Sequence, residues 1–400
     1  MEEWKEYKLG EAAIPVRDRI ETSCLDSSSY ISTENMLPNK AGVTLSSGIP
    51  SGNAIKFKNG DVLISNIRPY FKKIWRANKD GGCSADVICL RASNEVDPLF
   101  LYYLLSQDLF FDYVMQGAKG TKMPRGDKNQ IMQWPIMLPS IKEQQDISSI
   151  LKSLDDKIEV NRRINENLEQ QAQALFKSWF VDFDPFKDQP FVESELGMIP
   201  QGWRLGCLSN VADIIMGSSP SGSSYNVTGD GDVFYQGRAE FSFRFPRRNM
   251  YTTEAKRYAD VDSVLLSVRA PVGDINVAEE RCCIGRGLAS VKSNEGNSSY
   301  ILYLMQSLKP VFDQFNGEGT VFGSINKKAL EELKILIAPK EIRDSFEDIA
   351  NKIDSEIKVL DQESRCLAEL RDTLLPRLMS GELRVTNMDL VNKLMENNIF

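Results

Sequence analysis

The feature that most constrains this 400-residue chain is that it repeats itself at about half its length, about 200 residues apart. A Trp-led segment opens each half, EWKEYKLGEAA at 3–13 and GWRLGCLSNVA at 202–212. A β-branched run ending in Arg and Pro follows, DVLISNIRP at 61–69 and DSVLLSVRAP at 262–271. Next come an apolar helix candidate, LFLYYLLSQ at 99–107 and YILYLMQSL at 300–308, and a Gly-Thr loop, GTKMPRGDKNQI at 120–131 and GTVFGSINKKAL at 319–330. Each half then runs through an apolar strand and a proline, WPIMLPS and LKILIAP, into a long charged helix. Five landmarks in one order point to two copies of one domain plan rather than one enlarged core.

The helical segments carry their own periodicity. Residues 142–180 contain no Gly or Pro and set Ile147, Leu151, Leu154, Ile158, Leu168, Ala172, Leu175 and Trp179 at alternating steps of three and four, with Asn161 and Asn165 filling the gap. That is a heptad stripe with two polar positions. Residues 341–375 repeat it with Phe346, Ile349, Ile353, Leu360, Leu367 and Leu374, and Pro185 and Pro376 stop or kink the helices near their ends. Each helix must bury its stripe, and the other helix is the obvious partner, with packing of each helix on its own domain as the alternative. About 40 residues at ~1.5 Å each make a rod of roughly 60 Å, long enough to hold two domains at fixed spacing.

The expected fold is therefore α+β: two globular domains related by internal duplication, separated by two long helices that form an antiparallel coiled coil. The expected boundaries are 1–140 and 196–340 for the domains, 141–185 and 341–384 for the helical regions, and 385–400 for a short amphipathic tail. Charge follows the same division. Residues 1–140 carry 17 basic against 16 acidic side chains and 197–340 carry 16 against 15, whereas 141–196 carry 7 against 12 and 341–400 carry 8 against 13. The net −8 thus sits in the helices, and both domains stay free to present basic faces.

Composition narrows the chemistry. Histidine is absent, which removes imidazole-based nucleophilic catalysis and zinc sites and the commonest general base. The seven cysteines are scattered and never form C-x-x-C, and they read as buried thiols. GEGTVFGS at 317–324 lacks the Lys-Ser/Thr of a phosphate-binding loop and reads as a turn into a helix. The carboxylates of DPFKD at 184–188 have no second acidic cluster to complete a metal site. No Asn-Pro-Pro-Tyr or Asp-Pro-Pro-Tyr segment is present, so the chain does not methylate bases itself. No catalytic residue, metal ligand or bound cofactor is expected. The charged start, with no apolar run of ~20 residues, gives the expectation of a cytoplasmic protein without membrane contact.

Positive charge clusters inside both domains. The first has Lys56, Lys58, Arg68, Lys72 and Lys73, with Arg76, Lys79 and the aromatic Tyr70, Phe71 and Trp75 among them, and its Gly-Thr loop adds Lys119, Lys122, Arg125 and Lys128. The second has Arg238, Arg244, Arg247, Arg248 and Arg269, with Lys327 and Lys328 at its Gly-Thr loop. Arginine reads guanine bidentately in the major groove and lysine holds phosphate, so these are the candidate DNA-contacting residues.

The segment LPSIKEQQDISSILKSLDDKIEVNRRINENLEQQAQALFKSWFVDFDPF at 138–186 resembles the central conserved region of type I restriction-modification specificity subunits. LRDTLLPRLMSGELRV at 370–385 resembles their distal conserved region, and ELGMIPQGWRLGCLSNVADIIMG at 195–217 the entry to their second target-recognition domain. The resemblance implies a non-catalytic subunit whose two target-recognition domains, 1–140 and 196–340, each read one half of a split site in double-stranded DNA. It further implies that the helices set the gap and dock two methyltransferase subunits, with restriction subunits in the larger assembly. S-adenosylmethionine, ATP and Mg are implied for those partners, not for this chain. Recognition domains vary within the family, so no base-reading residue is carried over. A coiled-coil adaptor that binds protein only, and a nuclease or ATPase, are the rival readings.

Overall fold

The computed structural model describes residues 4–195, 197–316 and 323–385. All of the expected tail, 385–400, beyond Val385 lies outside the described residues. Helix and sheet are mixed, and the chain divides into two compact units, Met1–Asn161 with Gln362–Phe400, and Arg162–Asp361.

In the first unit, Ala13–Pro15, Val87–Ala92, Val62–Ser65 and Ile74–Arg76 form an antiparallel sheet in that spatial order. Its inner strand Val62–Ser65 is buried at every position, which suits the unbroken apolar run Val-Leu-Ile and rules out an alternating, half-wet strand. A second sheet has the order Arg19–Glu21, Asn53–Phe57, Gly81–Cys83, Tyr30–Ile31, and its last pair is parallel. Lys5–Lys8 pairs with Pro135–Leu138 as a separate ribbon. Pro98–Leu105 forms a helix because Asp97 accepts hydrogen bonds from the amides of Leu99 and Phe100, and Pro98 sits in the first turn.

The second unit builds its sheet from Ala212–Met216, Leu288–Ser293, Val264–Ser267 and Ile275–Val277, again antiparallel, again with the fully buried strand third. Its other sheet has five strands and one parallel pair, Asp232–Tyr235 with Cys282–Ile284. Its ribbon is Arg204–Cys207 with Lys334–Ile337. A hairpin of Phe191–Ser194 and Gly197–Pro200 precedes it.

Two 40-residue helices, α1 (Ile141–Phe180) and α2 (Lys340–Met379), each contribute one half to each unit. In the first unit Ile147, Leu151 and Leu154 of α1 share one core with Leu367, Leu370, Leu374 and Leu378 of α2, and Ile158 packs against it half-buried. In the second, Ala172 and Phe176 share a core with Phe346 and Ala350, while Leu175 and Ile353 are half-buried against it. Leu360 is buried and Leu168 half-buried. Ile349 departs from expectation. It is 43% exposed, and the stripe runs instead through Ala350 and Ile357, both fully buried, one helical position further round. Pro376 lies inside α2, three residues from its end, and Pro185 sits beyond α1 in a 3-10 turn, Asp184–Phe186.

The polar positions of the stripe are buried too. Asn161 donates from Nδ2 to Glu363 Oε2 at 2.7 Å in the first unit, and Asn165 donates to the Ile357 carbonyl at 3.3 Å in the second. Among the described residues no helix is long and apolar enough to cross a membrane.

Candidate nucleic-acid interface

The same loop pair recurs at the end of the buried strand in each unit. After Val62–Ser65 the chain leaves the sheet through Asn66, Ile67 and Arg68. There the Arg68 amide donates to the Pro124 carbonyl at 2.8 Å, Gly126 N to Asn66 O at 3.2 Å, and Ile67 faces Arg125 as an isolated bridge. After Val264–Ser267 the Ala270 amide donates to Gly323 O at 2.9 Å, Ile325 N to Val268 O at 3.1 Å, and Arg269 faces Ser324. The Arg-Pro strand end and the Gly-Thr loop, 50 or more residues apart in sequence, thus become one surface. Glycine permits the approach in the first unit: a Cβ on Gly126 would stand 2.9 Å from Asn66 Oδ1. A short helix follows each loop, capped by Asp127 on the amides of Asn129 and Gln130 and by Asn326 on that of Ala329. Residues 319–322 of the second Gly-Thr loop lie outside the described residues.

Most of the first unit's candidate cations collect here. Arg68, Lys119, Lys122, Arg125 and Lys128 lie on the two loops or the cap, and Lys72 and Lys73 on the turn that follows Arg68. Several are held by carboxylates: Lys72 to Asp108 at 2.9 Å, Lys119 to Asp127 at 2.9 Å and Arg125 to Asp86 at 3.4 Å. Burial works against ionisation of Asp108, yet the ammonium groups of Lys72 and Lys40 keep its carboxyl below the ordinary range. Lys73 donates to the Thr33 carbonyl at 2.7 Å, and partial burial, with Arg68 nearby, lowers its pKa. Arg68 and Lys122 pair with no carboxylate among the described residues. Lys56 and Lys58 are exposed on the other sheet, apart from the loop pair.

In the second unit Arg269, Lys327 and Lys328 are exposed at the loop pair, the lysines facing Glu331 and Glu332 one helical turn on at 3.4 and 3.8 Å. Arg238 is paired with Asp274, and Arg248 with Glu280 at 2.7 Å and Glu279 at 3.3 Å. Arg247 is exposed.

Arg244 does not fit the expectation of DNA contact. Its side chain is 4% exposed, ion-paired with Asp354 at 2.8 Å and with Glu169, and it donates to the Tyr303 hydroxyl at 3.2 Å. A guanidinium enclosed by two carboxylates and a phenol has no face left for phosphate, so Arg244 ties the sheet domain to α1 and α2. Tyr303 in turn donates to Asp354 at 2.6 Å, and burial raises its hydroxyl pKa.

A matching tie in the first unit also escapes a reading by charge clusters. Tyr103 donates to Asp155 of α1 at 2.7 Å, and Arg371 of α2 completes it at 2.7 Å from the same carboxylate. Burial, with the Asp155 charge, pushes the Tyr103 hydroxyl up. The signal was present in the repeat: Tyr103 and Tyr303 stand 200 residues apart, each within its apolar helix motif.

Residues 1–170 and 200–365 match the model of a family described as the type I restriction modification DNA specificity domain, and the chain belongs to that family. It is 35% identical over 300 residues to a Methanocaldococcus jannaschii protein described as the putative type I restriction enzyme MjaX specificity subunit, covering 73% of this chain and 69% of that one. It is 26% identical to the type I restriction enzyme HindI specificity subunit of Haemophilus influenzae, over 96% of this chain and all of the other. The fold is similar to the crystal structure of a type I restriction-modification system S subunit from M. genitalium, with a TM-score of 0.57 at 15% identity, covering 94% of this chain and 96% of that one.

Proposed function

We propose that the chain is the DNA-reading subunit of a type I restriction-modification assembly. Residues 1–140 and 196–340 act as two target-recognition domains, copies of one ancestral unit, each reading one half of a split sequence in double-stranded DNA. The helical regions 141–185 and 341–384 pair antiparallel as a coiled coil, fix the gap between the halves and dock two methyltransferase subunits. Restriction subunits join the full complex. Adenine N6-methylation with S-adenosylmethionine, and ATP- and Mg-dependent translocation and cleavage, are carried by those partners, and this chain catalyses nothing.

The observation that carries the reading is the loop pair. In both units an Arg-Pro strand end is hydrogen-bonded to a cation-bearing loop at the end of the same inner strand of the same sheet plan. The duplication is supported by the repeated sheet order and by the two stretches that match one family model. The coiled coil is supported by the pairing of early α1 with late α2 in one unit and late α1 with early α2 in the other. Two readers on a rigid spacer multiply two modest readouts into one specificity, as other paired readers do at half-sites one or more ~34 Å turns apart. The DNA contacts proposed are Arg68, Lys72, Lys73, Lys119, Lys122, Arg125 and Lys128 in the first domain, with Lys56 and Lys58 at its margin, and Arg238, Arg247, Arg248, Arg269, Lys327 and Lys328 in the second.

Adenine-methylation mapping of the host genome, with and without this gene, tests the reading. Loss of one split, asymmetric methylated motif on deletion is expected. An unchanged methylome, together with no salt-dependent DNA binding by the reconstituted complex, would overturn it in favour of a protein-only adaptor.

A further inference from the structure

The turn after Arg68 carries a second kind of chemistry. Pro69–Phe71 forms one 3-10 turn, and its aromatic side chains are exposed, Tyr70 at 46% and Phe71 at 37%, with ring centroids 4.6 Å apart. Its backbone is held in an unusual state. Six non-glycine residues have positive φ among the described residues, and four of them converge here: Asn39 at 54°, Lys40 at 63°, Arg68 at 51° and Lys72 at 50°. Non-glycine residues enter the left-handed region at a cost that surrounding structure must offset, and such strain gathers at functional positions. The support is visible. Asn39 N donates to Phe71 O at 2.8 Å, Lys40 N to Lys72 O at 3.0 Å, and Asp108 pins Lys40 and Lys72 together at 3.1 and 2.9 Å.

A folding core does not need this arrangement, because the rings it fixes are not buried. Nor does the scaffold require it. At the corresponding place the second unit has Arg269, Ala270, Pro271, Val272 and Gly273, with no ring. The surroundings select the occupant: Arg68 and Lys122 present positive charge unmatched by carboxylate, and Met123 stands 49% exposed on the loop hydrogen-bonded to Arg68. Aromatic rings among cations on a rigid tip match nucleic acid, whose bases stack on aromatic faces while phosphates meet the cations.

We propose that Tyr70 and Phe71 form a preorganised aromatic wedge that inserts at a base step in the half-site read by the first domain. The proposal rests on the DNA-reading function above. The backbone bonds that already hold the turn in the free protein lower the ordering cost of insertion.

The test uses the chain assembled with its methyltransferase partner and duplexes carrying 2-aminopurine at single positions through the first half-site, leaving out the adenine that becomes methylated. One position is expected to brighten on binding. Tyr70→Ala with Phe71→Ala should abolish that signal and weaken binding roughly tenfold to a hundredfold, with the salt slope unchanged because no phosphate contact is lost. Tyr70→Phe, which keeps both rings, should retain the signal. Binding by the wild-type complex with no bright position, or brightness that survives the double variant, would overturn the wedge while leaving DNA reading intact. Failure of the wild-type complex to bind DNA at all would instead overturn the underlying function, and the same titration separates the two.

Discussion

The two units share a sheet plan and a loop pair, but they lock onto the helices differently. In the first, the Tyr103–Asp155 bond is completed by Arg371, which comes from α2 and leaves a side chain 28% exposed. In the second, the Tyr303–Asp354 bond is completed by Arg244, which comes from the sheet domain and is sealed beside Glu169. The surrounding cores differ in the same sense. What the helices bring to the first core is mostly leucine, whereas in the second the rings of Phe176 and Phe180 each lie within 6 Å of those of Tyr300 and Phe346. Both units thus hold a Tyr–Asp bond with a cation beside it, supplied by a helix in the first and by the sheet domain in the second.

Arg244→Ala breaks this comparison most sharply. It leaves the Glu169 and Asp354 carboxylates facing each other with no counter-charge, and losing one partner of a buried ion pair costs about 3–5 kcal/mol. The second unit should therefore unfold at a clearly lower denaturant concentration and lose hydrogen-exchange protection in Ser298–Ser307, the helix that carries Tyr303. Unchanged protection there would show that Arg244 is not the tie.

Removal of surface cations should act on DNA and not on stability. Arg247 is exposed without a carboxylate partner among the described residues, whereas Arg248 is shared between Glu279 and Glu280. Arg247→Ala should lower the slope of log affinity against log salt by about 1, and adding Arg248→Ala should weaken binding by the complex further, by less than a second full phosphate contact. Equal affinity at moderate salt would take this cluster out of the interface.

What the sequence disclosed, and what it hid, follows from the range of the interactions concerned. Heptad spacing is local, so the helix 142–180 read from the absence of Gly and Pro emerges as Ile141–Phe180, and most stripe residues are buried as the period requires. Ile349 was misassigned because Ile is the apolar residue in that turn, yet the helix turns smaller Ala350 inward against Phe346 and its neighbours. The two landmarks of each loop pair were legible separately, but their union into one surface rests on hydrogen bonds across about 55 residues and emerges only in the fold. Arg244 was not legible. Within FSFRFPRRN it looks like its neighbours Arg247 and Arg248, and only tertiary packing separates a buried guanidinium from two at the surface. The Tyr–Asp ties join residues about 50 positions apart, and no local pattern announces them.

Arg371→Ala should be much milder than its counterpart in the second unit. Burial alone would depress its guanidinium, yet Asp155 more than compensates and raises it. With both partners near 30% exposed, water can take over part of the arginine's role, and a loss of about 1 kcal/mol is expected. A cost equal to that of Arg244→Ala would mean that burial does not distinguish the two ties.

The smallest effect appears as a slope with pH. The first unit caps its Tyr103 helix with Asp97 from the same loop, accepting from Leu99 and Phe100. The second caps its Tyr303 helix from α2, through Glu347, which accepts from the Ser299 amide at 3.1 Å and the Tyr300 amide at 2.9 Å. Burial raises the Glu347 pKa above its ordinary 4.5, with the amide bonds opposing it. A carboxyl whose folded pKa lies above its unfolded one binds its proton more tightly when folded. Its contribution is therefore most favourable below about pH 4.5 and declines as pH rises through the folded value. Glu347→Gln keeps an acceptor oxygen and removes the titration. Stability of the wild type relative to this variant should fall as pH rises above 4.5 and then level off. A difference that instead grows with pH would mean that the amide bonds outweigh burial, and that the cap from α2 stabilises the second unit in its charged form.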